Sequence, residues 1–249
     1  MSETSDNALF LGVELLCLDA GNTVIFLDHA RLAALAASLG LVVDAPRLRE
    51  TEGEAKRLLE SGGLVDLPWR GREQPGAAGW GRVVATIYAR AGVPEGRLIE
   101  LVEAAWRSHV DYNLWSLVPE GLGGALDAFR TEGGKVAVVS NSEGMLDALF
   151  ARLGIASHFD MVADSGKLGV EKPDPRIFEY VLRHFGLPAS SALHLGDTFA
   201  TDVLGARAAG LRAALIDPFE HYRGLHEDVP RVTDVPTVAR ELADRLRRG

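Results

Sequence analysis

The residues of this chain that could do chemistry are polar side chains placed beside short apolar runs. They are Asp19, Ser140, Lys172, Asp197 and Asp202. Three of them follow runs typical of buried strands, the lysine precedes the helical stretch that leads to the last of these runs, and Asp202 comes shortly after that run. Because ligands of an open parallel sheet bind beyond the carboxyl ends of its strands, we expect the five side chains to converge.

This set of side chains favours phosphoryl chemistry. A carboxylate such as Asp19 can attack phosphorus and form an aspartyl-phosphate, which divides one difficult step into two. A divalent cation must then bridge the negative groups, and Mg²⁺ takes oxygen ligands. Asp19 and Asp197 are the expected ligands, with Asp202 as a further ligand or a close neighbour. Ser140 and Lys172 are suited to hold the phosphoryl oxygens.

The elements that must position these residues are buried strands and the helices between them. Near-continuous apolar runs predict strands that are covered on both faces. The runs are Val13–Leu18, Val136–Val139, Met161–Ala163, Ala192–Leu195 and Ala213–Ile216. Helical spacing between the later runs predicts an α/β fold, with a Rossmann-like parallel sheet and helices on both sides.

The segment from residue 27 to residue 117 differs from the rest of the chain. It has no strong strand run but several amphipathic helical stretches, interrupted by the Gly- and Pro-rich loop Ser61–Gly81. We therefore predict that residues 1–26 and 118–249 form the α/β core and that residues 27–117 form an all-helical insert. Asp28, at the start of the insert, is predicted to cap a helix rather than to take part in catalysis.

Composition narrows the classes of function. The net charge of -9 over 249 residues argues against nucleic-acid binding, which needs a basic surface. No segment is long and apolar enough to predict a membrane span, and the start of the chain has no signal-peptide pattern. The single cysteine, Cys17, excludes an internal disulfide and indicates a small buried side chain. A cytoplasmic location is the resulting expectation.

The ordered set of motifs resembles the haloacid dehalogenase superfamily. The motifs are Asp19-x-x-x-Thr23, Ser140-Asn141, Lys172-Pro173 and Gly196-Asp197-x-x-x-x-Asp202. The resemblance implies strand order 5-4-1-2-3, a cap domain in place of the helical insert, Mg²⁺ as cofactor and a small phosphorylated metabolite as substrate. It also makes Asp19 the nucleophile, the Gly21 carbonyl a metal ligand, and Thr23 and Asn141 candidate substrate contacts, although Asn141 could instead fix its loop.

The chain departs from the family pattern at Gly21. Phosphatases of the family usually carry an aspartate there, which protonates the leaving group and then activates water. Glycine keeps the backbone carbonyl but removes this acid/base, a group typically worth about 10²–10⁴ in rate. We therefore expect a slow hydrolase, or one in which the substrate or the cap supplies the proton.

Three alternatives follow from the same departure. Haloacid dehalogenases also lack that aspartate, but Asp197 argues against them because they typically lose this acidic ligand. Phosphonoacetaldehyde hydrolases retain the metal and form a Schiff base through a cap lysine, for which Lys56 is the candidate, although its charged neighbours favour a solvated role. The third alternative is a degenerate protein that binds phosphate without turnover.

His194, inside a predicted strand, is expected to be a core histidine with its hydrogen bonds satisfied.

Overall fold

The computed structural model describes residues 8–69, 71 and 74–248. These residues divide into two compact units. The α/β unit contains residues 8–26, 118–218 and 224–248, and the helical unit contains residues 27–69, 71, 74–117 and 219–223. The sequence-based division placed residues 219–223 with the core, whereas in the structure they pack with the helical unit. This short segment carries no periodic pattern that could have indicated its place.

The α/β unit is built on one parallel six-stranded sheet, in the order β5-β4-β1-β6-β7-β8. Its strands are β1 (Leu15–Leu18), β4 (Lys135–Ser140), β5 (Met161–Asp164), β6 (Ala192–Gly196), β7 (Arg212–Ile216) and β8 (Arg231–Val232). The expected α/β class is confirmed. If β1, β4, β5, β6 and β7 are numbered one to five in chain order, they lie in the order 3-2-1-4-5, which is the expected order 5-4-1-2-3 read from the other edge. The strand β8 is an additional edge strand. Because β8 has only two residues, it produces no recognisable strand pattern.

Burial on both faces explains why the central strands are continuous apolar runs. All four residues of β1 are fully buried, and in β4 only Lys135 at the start is exposed. Cys17, in the middle of β1, is a free buried cysteine as expected, and burial raises the pKa of its thiol to about 12. Strands of this kind are stable only when helices cover both faces of the sheet.

The helices of the α/β unit supply that cover. They are α5 (Leu122–Thr131), α6 (Leu146–Leu153), α7 (Ser165–Leu168), α8 (Arg176–Phe185), α9 (Leu204–Ala208) and α10 (Val235–Arg248). Helix α8 shows the helical period clearly, because Ile177, Phe178 and Val181 are buried while its other side chains are partly or fully exposed. Gly186 ends this helix in the left-handed conformation that glycine adopts at low cost.

The helical unit contains four helices around its own apolar core. They are α1 (His29–Ser38), α2 (Ala45–Glu60), α3 (Ala77–Arg90) and α4 (Glu95–Asp111). The short strands β2 (Phe26–Leu27) and β3 (Trp115–Leu117) pair where the chain passes into and out of this unit. The Asp28 side chain accepts a hydrogen bond from the Arg31 amide at 3.0 Å, which confirms the predicted helix cap. No helix within the described residues has the length and apolar character needed to cross a bilayer.

Candidate active site

The candidate site lies at the carboxyl edge of the three central strands of the α/β unit. In the sheet, Leu18 of β1 is paired with Val138 of β4 on one side and with Leu195 of β6 on the other. Asp19 therefore begins the loop after β1 beside the end of β6, and its amide donates to the Leu195 carbonyl at 2.8 Å. Ser140 is the last residue of β4 and is buried.

Three carboxylates meet at this edge. Asp19, Asp197 and Asp202 are buried, and each offers one oxygen atom that lies within 4.8 Å of the other two. Asp202 reaches the cluster because a single π-helical turn, Phe199–Val203, follows β6. Gly196 is required at the end of β6, since a Cβ atom there would lie 2.2 Å from the Cγ atom of Asp202.

Lys172 is the cation at the centre of the cluster. Its Nζ atom lies 2.5 Å from Oδ1 of Asp19 and 2.5 Å from Oδ1 of Asp202, and the side chain is almost fully buried. Asn141 holds the lysine backbone at two points. Its side-chain amide donates to the Lys172 carbonyl at 2.8 Å and its side-chain oxygen accepts from the Lys172 amide at 2.7 Å. The amide of Asn141 thus fixes the loop that carries Lys172.

The charges in the cluster do not balance. Three carboxylates and one ammonium group carry a formal net charge of −2, which is three negative charges and one positive charge. Burial raises the pKa of Asp19, and repulsion from Asp202 and Asp197 adds to the increase, so the nearby Lys172 does not offset it. Burial also acts to raise the pKa of Asp202, but Lys172 and His194 outweigh it and the pKa is lowered.

This imbalance is the test of whether the site fits a metal ion. A buried group of carboxylates that lacks positive charge, with oxygen atoms close together, suits a divalent cation that prefers oxygen ligands. One such cation would bring the formal charge of the cluster to zero. The residues present therefore fit Mg²⁺.

The other residues predicted for the site lie close to it in the chain. Thr23 is buried, and its Oγ1 atom has no hydrogen-bond partner among the residues that the structure describes. Gly21 forms an isolated bridge with Ile25 in the loop after β1. The roles of Thr23, Ser140 and Asn141 towards a substrate, and that of the Gly21 carbonyl towards a metal, stay predictions.

Three residues that contact the cluster were not singled out for the site from the sequence. The Nδ2 atom of Asn22 donates to Oδ2 of Asp197 at 3.1 Å, and Asn22 adopts φ 53°, a left-handed conformation that asparagine tolerates. The Thr198 hydroxyl donates to Oδ1 of Asp197 at 3.2 Å. His194 lies 2.9 Å from Asp202 through its Nε2 atom. Its Nδ1 atom has no hydrogen-bond partner among the described residues, so the expectation that all its hydrogen bonds are satisfied is met only at Nε2. Asn22 and Thr198 adjoin motif residues, which was the only available signal.

The helical unit contains a different buried carboxylate. Glu52 of α2 accepts a hydrogen bond from Nε2 of His29 at 2.9 Å, and both side chains are buried. Burial acts to raise the pKa of Glu52, but the charges of Lys56, His29 and His221 and the His29 hydrogen bond outweigh it, so the pKa falls to about 2. The charged neighbours of Lys56 had suggested a fully solvated side chain, but Lys56 is half-buried.

Comparison with known proteins identifies relatives that match along most of the chain. The model of the haloacid dehalogenase-like hydrolases matches residues 14–210. The human haloacid dehalogenase-like hydrolase domain-containing protein 3 is 28% identical, with 93% of each chain covered. The phosphoserine phosphatase of Thermus thermophilus is 36% identical over 61% of this chain and 58% of its own length.

A solved structure agrees with these relatives in fold. YfnB of Bacillus subtilis is described as a haloacid dehalogenase (HAD) hydrolase, and its crystal structure contains bound magnesium. It superposes on this chain with a TM-score of 0.65. The superposition covers 92% of this chain and 98% of that one, at 16% identity. At this identity the likeness concerns the fold alone, and it supports the α/β core described above.

Proposed function

Because this chain belongs to the haloacid dehalogenase-like hydrolases, we propose that it hydrolyses phosphate esters of small molecules with Asp19 as the nucleophile. The observation that carries the proposal is the buried cluster of Asp19, Asp197 and Asp202 around Lys172, in which three negative charges face only one positive charge. An excess of two negative charges, which one divalent cation would neutralise, is expected of a site for phosphoryl transfer and not of a structural ion pair.

The reaction proceeds in two displacements. A carboxylate oxygen of Asp19 attacks the phosphorus atom, an aspartyl-phosphate bond forms, and the ester bond to the leaving oxygen breaks. The leaving oxygen takes up a proton and departs as an alcohol. A water molecule then attacks the same phosphorus atom, loses a proton, and restores the Asp19 carboxylate with release of inorganic phosphate.

Mg²⁺ is the proposed cofactor, held by Asp19 and Asp197, with the Gly21 carbonyl and Asp202 as the further positions that the family resemblance indicates. When bound, it supplies the positive charge that allows a carboxylate and a phosphate group to approach each other. The side chains of Asn22 and Thr198 orient the Asp197 carboxylate through hydrogen bonds to its two oxygen atoms. Such outer contacts fix the direction of a ligand atom before any ion binds.

Lys172 and Ser140 are the proposed grips for the phosphoryl group. The Lys172 ammonium already touches Asp19, so a phosphoryl group that reaches the nucleophile also reaches this positive charge. Ser140, at the end of the neighbouring strand, and Thr23, whose buried hydroxyl has no partner among the described residues, would add hydrogen bonds to phosphoryl oxygens. Asn141 contributes by holding the Lys172 backbone.

Gly21 determines which substrates react well. Without a carboxyl group at this position, the leaving oxygen must be stable as an anion or take its proton from elsewhere. We therefore propose that esters with acidic leaving groups react fastest. The natural substrate would be a small phosphorylated molecule, as the name of the Thermus relative indicates for that protein. Residues 27–117, at the chain position of the family's cap, would select it.

The proposal is tested by phosphate release from a panel of small phosphate esters, with and without Mg²⁺. We expect wild type to hydrolyse the ester with the best leaving group and Asp19→Asn to be inactive. Gly21→Asp should gain most on esters with poor leaving groups, by up to about 10²–10⁴-fold. Silence of wild type and of Gly21→Asp on every ester would reject the phosphatase and favour binding without turnover.

Carbon–phosphorus cleavage through a Schiff base on Lys56 is the enzymatic alternative to ester hydrolysis. Imine formation needs a neutral amine, and Lys56 lies near enough to the buried Glu52 carboxylate to help lower its pKa. Failure of borohydride to trap an imine with a phosphonate aldehyde would remove this alternative.

A further inference from the structure

We infer that His194 is a positioning residue of the active site, which sets the place of Lys172 against the nucleophile through the Asp202 carboxylate. The inference rests on the proposed function, because it assigns a task within the same reaction. It concerns a residue of the sheet interior that lies outside the four sequence motifs. Its basis is the pattern of hydrogen bonds around Asp202.

His194 donates a hydrogen bond to a site carboxylate from the middle of β6. The side chain is fully buried, and its Nε2 atom lies 2.9 Å from Oδ1 of Asp202. An ionised carboxylate only accepts hydrogen bonds, so Nε2 must carry the hydrogen atom. The Oδ1 atom of Asp202 also accepts from Nζ of Lys172 at 2.5 Å, so one oxygen atom joins the histidine to the lysine.

The other oxygen atom of Asp202 is also held. Its Oδ2 atom accepts a hydrogen bond from the Thr198 amide at 3.0 Å. Three donors on its two oxygen atoms therefore restrain the carboxylate, and the backbone of Gly196 lies against its Cγ atom. A carboxylate fixed in this way gives the Lys172 ammonium one defined place, from which it also touches Asp19.

The imidazole ring is itself held rigidly. The ring of Phe178 contacts it edge to face, with centroids 4.9 Å apart. His194 is paired with Cys17 of β1 in the sheet, two residues before the nucleophile. Sheet pairing and ring packing thus hold His194 within a fully buried central strand, and a firmly packed support is what accurate positioning requires.

The alternative is a core histidine whose contact with Asp202 only satisfies a buried polar group. The two roles differ in what a substitution would change. A structural histidine affects stability alone, whereas a positioning histidine affects how tightly Lys172 holds a phosphoryl group. The distinction can be measured because glutamine can present a side-chain N–H near the Nε2 position, and leucine cannot.

The test compares His194→Gln and His194→Leu with Val181→Ala, a control in the buried face of α8 that loosens the same core. For each protein we would measure kcat and KM on an ester with a good leaving group, calorimetric binding of inorganic phosphate with Mg²⁺ present, and Tm. We expect His194→Leu to lower kcat/KM by about 10- to 100-fold and to weaken phosphate binding, as expected for a misplaced catalytic group. His194→Gln should recover most of the loss.

Two results would overturn the inference. One is wild-type kinetics and phosphate binding in a folded His194→Leu protein. The other is a loss of activity and of phosphate binding in His194→Gln or in Val181→Ala that equals the loss in His194→Leu, at a similar Tm. Phosphate binding is measured without turnover, so a wild type that binds phosphate but releases none would reject the proposed hydrolase while still deciding the role of His194.

Discussion

Two buried carboxylates, Asp19 in the α/β unit and Glu52 in the helical unit, show opposite electrostatics. Both are almost inaccessible to solvent. Glu52 is surrounded by Lys56, His29 and His221, and its pKa falls to about 2. Asp19 shares one lysine with two other carboxylates, and its pKa rises. The favourable charges and hydrogen-bond donors around each carboxylate, not the burial, separate the two groups.

The difference indicates which cluster is structural and which is functional. A buried carboxylate with enough cations around it is stable as it stands. A buried group of carboxylates with too few positive charges destabilises the folded protein, and a bound cation would remove this repulsion. Such a group is therefore a candidate binding site. The comparison leads to four predictions. Three contrast the two clusters, and the fourth tests the electrostatics of Glu52 alone.

The largest expected effect is on activity. Asp19→Asn removes the nucleophile and should lower phosphate release by at least about 10³-fold, as loss of a covalent nucleophile generally does. Glu52→Gln, measured on the folded protein, should leave kcat within a few-fold of wild type. Steady-state assays with a chromogenic phosphate ester check both. Equal losses in the two variants would show that the comparison does not separate function from structure.

The second prediction concerns the free energy of unfolding without metal. Glu52→Gln removes the negative charge that faces Lys56 and weakens the hydrogen bond from His29, and it should destabilise the protein by about 3–5 kcal/mol. Asp19→Asn relieves repulsion and should stabilise it by about 1 kcal/mol, since the pKa of Asp19 is raised.

Urea titrations at neutral pH with a chelator present measure these changes. Glu54→Gln is the matched control on the same helix. Because Glu54 pairs with the exposed Arg90, this substitution should cost less than about 1 kcal/mol. Destabilisation by Asp19→Asn would contradict the idea that the aspartate cluster lacks positive charge.

The third prediction concerns added Mg²⁺. An ion that binds only the folded protein stabilises it by mass action, by about 2.7 kcal/mol at 100 times the dissociation constant. Thermal unfolding should shift upwards for wild type and for Glu52→Gln, and much less for Asp19→Asn or Asp197→Asn. An equal shift in all four proteins would place the ion somewhere other than the aspartate cluster.

The smallest effect concerns pH. The pKa of Glu52 is lowered from 4.5 to about 2 by folding, so its contribution to stability is complete above pH 4.5 and is lost as the pH falls from there towards 2. The stability difference between wild type and Glu52→Gln should therefore shrink between pH 5 and pH 3. Urea unfolding midpoints of the two proteins between about pH 5 and about pH 3 test this prediction. A stability difference that stays constant with pH would show that folding does not stabilise the Glu52 anion.

The sequence was sufficient to predict the sheet and the positions of the motif residues. Continuous apolar runs and the polar residues that follow them placed Asp19, Ser140 and Asp197 at neighbouring strand ends, which the structure shows. Periodicity did not reveal β8 or the association of residues 219–223 with the helical unit. Two-residue strands and short irregular segments are specified by tertiary contacts, and local sequence patterns do not record such contacts.

The hydrogen bonds between side chains were the other feature that could not be predicted. The link from His194 to Lys172 through Asp202 joins residues distant in the chain, and it depends on the π-helical turn after β6. Strand burial correctly indicated that His194 lies in the core. The direction of its Nε2 atom towards a carboxylate of the site follows from tertiary structure, which no local sequence pattern records.

The most direct test of the proposed reaction is to trap phosphate on Asp19. The protein would be mixed with Mg²⁺ and an ester with a good leaving group, quenched in acid, digested, and examined by mass spectrometry. We predict that the peptide containing Asp19 carries one additional phosphoryl group, only with Mg²⁺ present, and that Asp19→Asn carries none. Release of phosphate by wild type with no phosphoryl group on this peptide, or undiminished release by Asp19→Asn, would contradict the proposal.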